Sequence, residues 1–551
     1  MKLVFHIILA LSCALLSGLV ASSQTPPDID DFFPKENFGT PALSPSGRYI
    51  AMADYRNAHD RIIIVDLEND FQTKTVPLQN YDIGWVGWAS EDRIVLDVHT
   101  EKEVYLTTVS AGKKNRRIKT IKFVHLLAMG NDGSDQQIMF AAPGKKLLER
   151  NVNFAHIVNF LPNDPKHILM RANEKHMTLW KVNLYTGAAS VYETGGPKTF
   201  NWTTNHEGLP YVRYDFTNTE RYIEVKLRTP GEKKWRKLAY VKRENLSTIS
   251  PVAPTNSPHK FYVRARPDDS DRFATYIYDM SKKTYSAAIS SHKSLDIYTT
   301  LTDGKGDYFA SVYFGDKVQY DFKNSAYSAD MKALNTFFKN NKNIWIKDIS
   351  IDGQKWLLRV ESPQDPGSYY IYDTKNKRTE FLTELRAHPA PDTLGATQIV
   401  TYKTRDGLTI KGYLTKPQNA AAMPPLIVFP HGGPEVRDYF EYNVTAQFLA
   451  SRGYQVFQPN FRGSDGFGNA FASAGYGQWG GKMQDDLTDG VNHLIGQGLA
   501  RKDNICIMGM SYGGYAALVG AYKTPNVYKC AVSINGASNL EALLDQDKTS
   551  F

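Results

Sequence analysis

The sequence predicts a β-propeller of about seven blades followed by an α/β domain built on a mainly parallel sheet. Three observations carry this reading. A turn–strand–gap–strand phrase recurs through the first two thirds of the chain, the pattern switches to alternating strands and helices after Leu385, and a G-x-S-x-G motif stands between a strand and a helix in the second part.

The 551 residues are 42% hydrophobic and 22% charged, the mix of an ordinary globular protein, and too many for one compact core. The aromatic share of 12%, with 32 Tyr, leans towards strands. The formal charge of +8 is spread without long basic blocks, which argues for solubility and against a nucleic-acid partner.

Residues 1–23 read as a secretory signal peptide. Lys2 gives a basic start, Leu3 to Val20 are almost wholly apolar, and Ala21-Ser22-Ser23 supply small residues for cleavage before a polar, Pro-rich stretch. A membrane anchor is the alternative, but the flanks favour cleavage; Leu11-Ser12 before Cys13 is a poor lipoprotein match. The expectation is a secreted or periplasmic protein with no stable membrane span after cleavage. Cys506 and Cys530 then remain, both in predicted strands, and are expected to be inert buried thiols. Asn201, Asn245 and Asn443 begin glycosylation sequons.

Residues 24–385 supply the propeller. Ser44-Pro45-Ser46-Gly47 leads into Arg48 to Ala53, and Arg61 to Asp66 closes that unit. Equivalent phrases start at Asn163-Asp164-Pro165, Thr255-Asn256-Ser257-Pro258 and Ser350-Ile351-Asp352-Gly353. Units of about 40–50 residues with a few strands each cannot bury both faces alone, so they stack around an axis. Seven or eight candidates can be counted, and seven is the expectation. Residues 115–149 fit the repeat badly. A β-sandwich array is the blander alternative.

Residues 386–397, with Pro389, Pro391 and Gly395, read as a linker. From 398 to 551, Gln398–Tyr402 and Leu408–Leu414 flank the turn Arg405-Asp406-Gly407 as a hairpin. Strands are expected at Leu426–Phe429, Gln455–Gln458, Asn504–Met508 and Cys530–Ile534. Helices are expected at Val444–Ser451, Met483–Gln497 and Tyr512–Lys523.

Gly509-Met510-Ser511-Tyr512-Gly513 sits where a strand hands over to a helix. A sharp turn there lifts a serine hydroxyl above the sheet, and Gly509 and Gly513 let neighbouring backbone come close. Ser511 is therefore the candidate nucleophile of an α/β-hydrolase domain. His431-Gly432-Gly433-Pro434 follows the strand at Leu426, where such a domain places a loop that donates a backbone N–H to the oxyanion. His431 precedes the serine, whereas the base of this fold follows it, so His431 is read as fixing the loop.

These motifs, with Asn460-Phe461-Arg462-Gly463-Ser464, Gly466-Phe467-Gly468, Trp479-Gly480-Gly481-Lys482 and Asp485-Asp486, resemble the prolyl oligopeptidase family in order and spacing from Gln398 onward. The His-Gly-Gly-Pro form is similar to its acylaminoacyl-peptidase and bacterial dipeptidyl-peptidase branch. The resemblance implies a serine peptidase of short peptides with a propeller roof, oxyanion donors at the amides of Gly433 and Tyr512, and no metal or organic cofactor. The propeller has no Glu-Glu pair, so the amine clamp of one dipeptidyl-peptidase branch cannot be carried over. Arg462 is expected to brace its own loop; Trp479 and the two aspartates are expected to pack and cap the helix at Met483.

One departure stands out. The fold orders its triad as Ser, then Asp or Glu, then His, yet only 40 residues follow Ser511 and all 13 histidines lie at or before His493. The expectation is that the triad Asp and His are absent, that the hydrolase domain is incomplete, and that this chain is inactive. An esterase on the same fold and a non-catalytic propeller binding protein are the alternatives.

Overall fold

The computed structural model describes residues 26–34, 37–56, 60–78, 81–110, 113–140, 147, 150–217, 221–242, 249–267, 270–418 and 423–549. Residues 1–23, read above as a signal peptide, lie outside the described residues. Among the described residues no helix is long and apolar enough to cross a membrane.

Seven separate antiparallel sheets occupy residues 42–77, 82–138, 157–194, 199–242, 249–285, 297–322 and 343–384. Each is woven from contiguous chain. First strands of neighbouring sheets lie next to one another at several junctions, that of the first and last sheets included, as in the inner ring of a seven-bladed propeller. Alternation explains how the blades stack. In Tyr222–Leu227 the buried residues Ile223, Val225 and Leu227 face one side and join a core shared with the next blade.

Two features were not anticipated. Residues 115–149, which fit the repeat badly, begin within the outer arm of a long hairpin: Arg93–Ser110 pairs with Lys113–Gly130 rung by rung, three times the length of a usual blade strand. The sixth blade has three strands, and the helix Ala326–Phe337 follows it, burying Met331 and Leu334 against Ile344 and Trp356 of the seventh.

The second domain carries one six-stranded sheet. Its strands are β1 (Ala396–Lys403), β2 (Thr409–Lys416), β3 (Leu426–Val428), β4 (Gln455–Pro459), β5 (Ile505–Met510) and β6 (Cys530–Ile534), in the order β1-β2-β4-β3-β5-β6. The β1–β2 hairpin is antiparallel and turns at Gly407, whose φ of 89° suits glycine. From β4 to β6 every pairing is parallel. Helices α1 (Val444–Ser451), α2 (Asn469–Ser473), α3 (Lys482–Gly496), α4 (Tyr512–Lys523) and α5 (Leu540–Thr549) accompany the sheet. Asn443 starts α1 by accepting the amide of Ala446. The strands β3 and β4 are buried along their whole length, as a sheet covered on both faces requires.

The cysteines correct the sequence reading. Cys506 and Cys530 are direct partners in the β5–β6 register, with Cα atoms 4.7 Å apart, and they form a disulfide; Cys530 is exposed. Parallel register brings together residues 24 apart in sequence, which strand prediction alone does not reveal.

Candidate active site

Strand β5 leads directly into Ser511, and α4 begins at the next residue. Ser511 has φ 55° and ψ −120°, a strained conformation for a residue with a side chain. Its N–H donates to Ile534 O at 3.0 Å, which anchors the bend to the end of β6, and its side chain is exposed. The flanking glycines are sterically required. A Cβ on Gly513 would lie 2.1 Å from Pro430 O, and one on Gly509 would lie 2.4 Å from the backbone of Gly513.

The double-glycine loop closes over this bend. A Cβ on Gly432 would sit 3.5 Å from Ser511 Cβ, so the loop passes beside the serine. Gly433 has φ 106° and precedes a cis proline. The N–H groups of Gly433 and Tyr512 donate to no protein acceptor among the described residues. Two free amides flanking a serine at a helix N-terminus can stabilise a developing oxyanion. The structure thus sets the Gly432–Gly433 loop beside Ser511, with Tyr512 next in the chain and Gly509 and Gly513 shaping the bend.

His431 lies beneath the loop. Its Nδ1 is 2.8 Å from Gly432 O, its Nε2 is 2.9 Å from Ser464 Oγ, and its ring stacks on Phe461 at 4.4 Å. Burial lowers its pKa to about 4, so the ring is neutral near pH 7. Among the described residues no side chain hydrogen-bonds to Ser511 Oγ. Asp545, which follows β6, lies beyond the helix start at Leu540 and is exposed.

Arg462 braces the floor, as expected. Its main-chain N–H and Nε donate to Asp486 Oδ2, Nη2 donates to Asp486 Oδ1, and both terminal nitrogens reach Asp406. That pairing holds the Asp406 carboxyl well below the usual carboxylate range. The expected capping role of the aspartates is corrected. Gly481 is the N-cap of α3 and uses no side chain; Asp486 points inward to Arg462, and Asp485 pairs with Lys523. Trp479 does pack, edge-on against Tyr512 at 4.8 Å and against Tyr515 at 5.2 Å.

The propeller roofs this surface through its fifth to seventh blades. Arg437 donates to Phe314 O, Asn343 donates to Phe440 O, Lys411 pairs with Asp316, and Gly468 N–H donates to Asp296. Burial pushes the Asp438 carboxyl, within this contact, up to about 7. No sequence signal pointed to the propeller residues Asp271 and Asp296, whose partners lie 199 and 172 residues further along the chain.

An exposed serine at a strand-to-helix bend, two free amides beside it and a propeller above define an α/β-hydrolase domain with a propeller roof. Comparison sharpens the class: residues 440–551 match the model of the prolyl oligopeptidase family, and this part of the chain is a prolyl oligopeptidase family domain. The family consists of serine peptidases acting on peptides. The chain is 30% identical over 407 residues to dipeptidyl aminopeptidase BIII of Pseudoxanthomonas mexicana, covering 71% of this chain and 58% of that protein's length. It is 34% identical over 243 residues to dipeptidyl peptidase family member 6 of Caenorhabditis elegans, covering 40% of this chain and 33% of that protein. In fold it is similar to a puromycin-hydrolysing peptidase of Mycobacterium tuberculosis, with a TM-score of 0.64 at 16% identity, covering 95% of this chain and 81% of the other. It is also similar to the acylaminoacyl peptidase of Pyrococcus horikoshii, with a TM-score of 0.62 at 16% identity, covering 94% and 82% of the two chains.

Proposed function

We propose that the protein is a serine peptidase that cleaves short peptides through an acyl-enzyme on Ser511, in a secreted or periplasmic setting. The observation that carries this reading is the approach of the Gly432–Gly433 loop to Ser511 at the end of a strand paired in parallel on both sides. Ser511 Oγ attacks the scissile carbonyl, and the amides of Gly433 and Tyr512 receive the negative charge that develops on its oxygen. The propeller restricts access to small or unfolded peptides. The names of the two relatives favour release of dipeptides from a free N-terminus.

The reaction also needs a base to take the serine proton and an acid to orient that base. His431 does not qualify, because its ring nitrogens are taken up by Gly432 O and Ser464 Oγ rather than by Ser511, and burial makes the ring a weak base. No histidine follows His493, so the 551-residue chain by itself is proposed to lack turnover. In the protein expressed from its gene, a fluorophosphonate is expected to modify Ser511 alone. Ser511→Ala is expected to abolish both that adduct and hydrolysis of dipeptidyl naphthylamides. Equal hydrolysis by the variant would sink the serine reading; turnover by the purified 551-residue chain would sink the proposed inactivity alone.

A further inference from the structure

Helix α2 is five residues long and is preceded by Gly468 at the N-cap position, which offers no side-chain cap. A helix this short does not hold together on its own. Its unsatisfied amides are instead met from the propeller. Asn469 N–H donates to Asp271 O at 2.7 Å, Ala470 N–H donates to Asp271 Oδ1 at 2.7 Å, and Gly468 N–H donates to Asp296 Oδ2 at 3.0 Å. Asp296 returns its own N–H to Gly466 O at 3.1 Å. The approach is close enough that a Cβ on Gly468 would lie 2.5 Å from Asp271 Oδ2.

The chain from this attachment runs straight to the candidate site. Phe471 O accepts from Gly463 N–H, a Cβ on Gly475 would meet Gly463 Cα at 2.6 Å, and Trp479 lies against the ring of Tyr512. Residues 466–479 therefore form a strap, tied to the propeller at one end and resting at the other on the residue whose amide faces Ser511.

We propose that Asp271 and Asp296 are positioning residues: from the propeller they fix the strap that holds Tyr512 in place, so docking of the two domains completes the active centre. This rests on the reading of Ser511, Gly433 and Tyr512 as that centre. The device works through acceptor geometry rather than net charge. Asp271 gives one carboxylate oxygen to the strap, while its other oxygen pairs with Arg272 at 3.1 Å. Asp296 uses both oxygens on amides, Oδ1 on Phe273 N–H at 2.7 Å and Oδ2 on Gly468 N–H. An asparagine keeps one acceptor oxygen, which is enough at position 271. At position 296 its NH2 group would face an N–H.

Hydrogen–deuterium exchange over residues 466–480 tests this. Asp271→Ala and Asp296→Asn are expected to speed exchange there about fivefold or more, and Asp271→Asn to stay within about twofold of the parent. Gly468→Ala, which forces the strap off Asp271 from the other side, is expected to follow Asp271→Ala. In the protein expressed from its gene, the disruptive variants are expected to lower kcat for a dipeptidyl naphthylamide with a smaller change in KM, and Asp271→Asn to leave both unchanged. Exchange unaltered in Asp271→Ala, or Asp271→Asn as disruptive as Asp271→Ala, would overturn the proposal. So would faster exchange with kcat unchanged. If Ser511→Ala retains hydrolysis, the serine reading fails instead, and the exchange pattern still reports on the strap.

Discussion

Replacing Arg462 with methionine separates a buried ion pair from an exposed one on a single side chain. The guanidinium serves two carboxylates: the Asp486 side chain is 0% exposed and that of Asp406 is 35% exposed. Without Arg462, Asp406 returns to water and keeps Lys482 nearby, so that half is worth only about 0.2–1 kcal/mol. Asp486 has no such escape. It keeps only the main-chain N–H of residue 462, and an uncompensated buried charge costs about 3–5 kcal/mol. Methionine matches the stem of arginine, so lost packing adds little. Arg462→Met is therefore expected to lower the urea midpoint of the hydrolase transition by the equivalent of about 4 kcal/mol at unchanged slope, and Asp406→Ala by less than about 1 kcal/mol. The double variant Arg462→Met/Asp486→Leu is expected to recover most of the loss, because it removes both charges together. Equal losses for Arg462→Met and Asp406→Ala, or no recovery in the double variant, would refute the assignment of the cost to Asp486.

Two further outcomes follow from the same site. Gly513→Ala places a methyl 2.1 Å from a backbone carbonyl that cannot rotate away, so a loss of about 3 kcal/mol is expected by chemical denaturation; a stable variant would show that the bend is looser than described. His431 titrates near 4 in the fold because of burial, against about 6.5 in the unfolded chain. The unfolded state takes up the proton first, so stability is full above about pH 6.5 and declines by up to about 3 kcal/mol as pH falls towards 4. His431→Gln is expected to flatten that part of the profile; an identical slope would assign it to other groups.

Where local chemistry decides, the elements were legible. Helices α1 and α4 and strand β6 match their expected bounds because an Asn cap, a serine bend and an apolar run mark their limits. The blade count could be read because each blade repeats its turn. The helix Ala326–Phe337 was hidden among strands even though Met331 and Leu334 carry its spacing. The long hairpin was masked by charge, since Lys113 to Lys119 breaks the alternation that marks a half-buried strand. The elbow glycines could be assigned from the motif, but Asp271, Asp296 and the Cys506–Cys530 bridge could not. Their roles depend on which distant segments the topology makes neighbours.

Because no blade borrows a strand from the far end of the chain, the ring has a single joint that no covalent thread crosses, between residues 42–77 and 343–384. It is held by an apolar core in which Leu43, Ile50, Met52 and Val65 pack with Leu357, Tyr369 and Ile371, and by Leu43 N–H on Asp348 and Ile351 N–H on Pro45 O. The chain leaves for the second domain from this same joint, through the linker after Glu384, and Phe32 ahead of the first blade touches Phe448 of that domain. A pull on the catalytic half is thus delivered to the one junction of the circle, like the slit of a split washer, where packing and hydrogen bonds act without a covalent thread beside them.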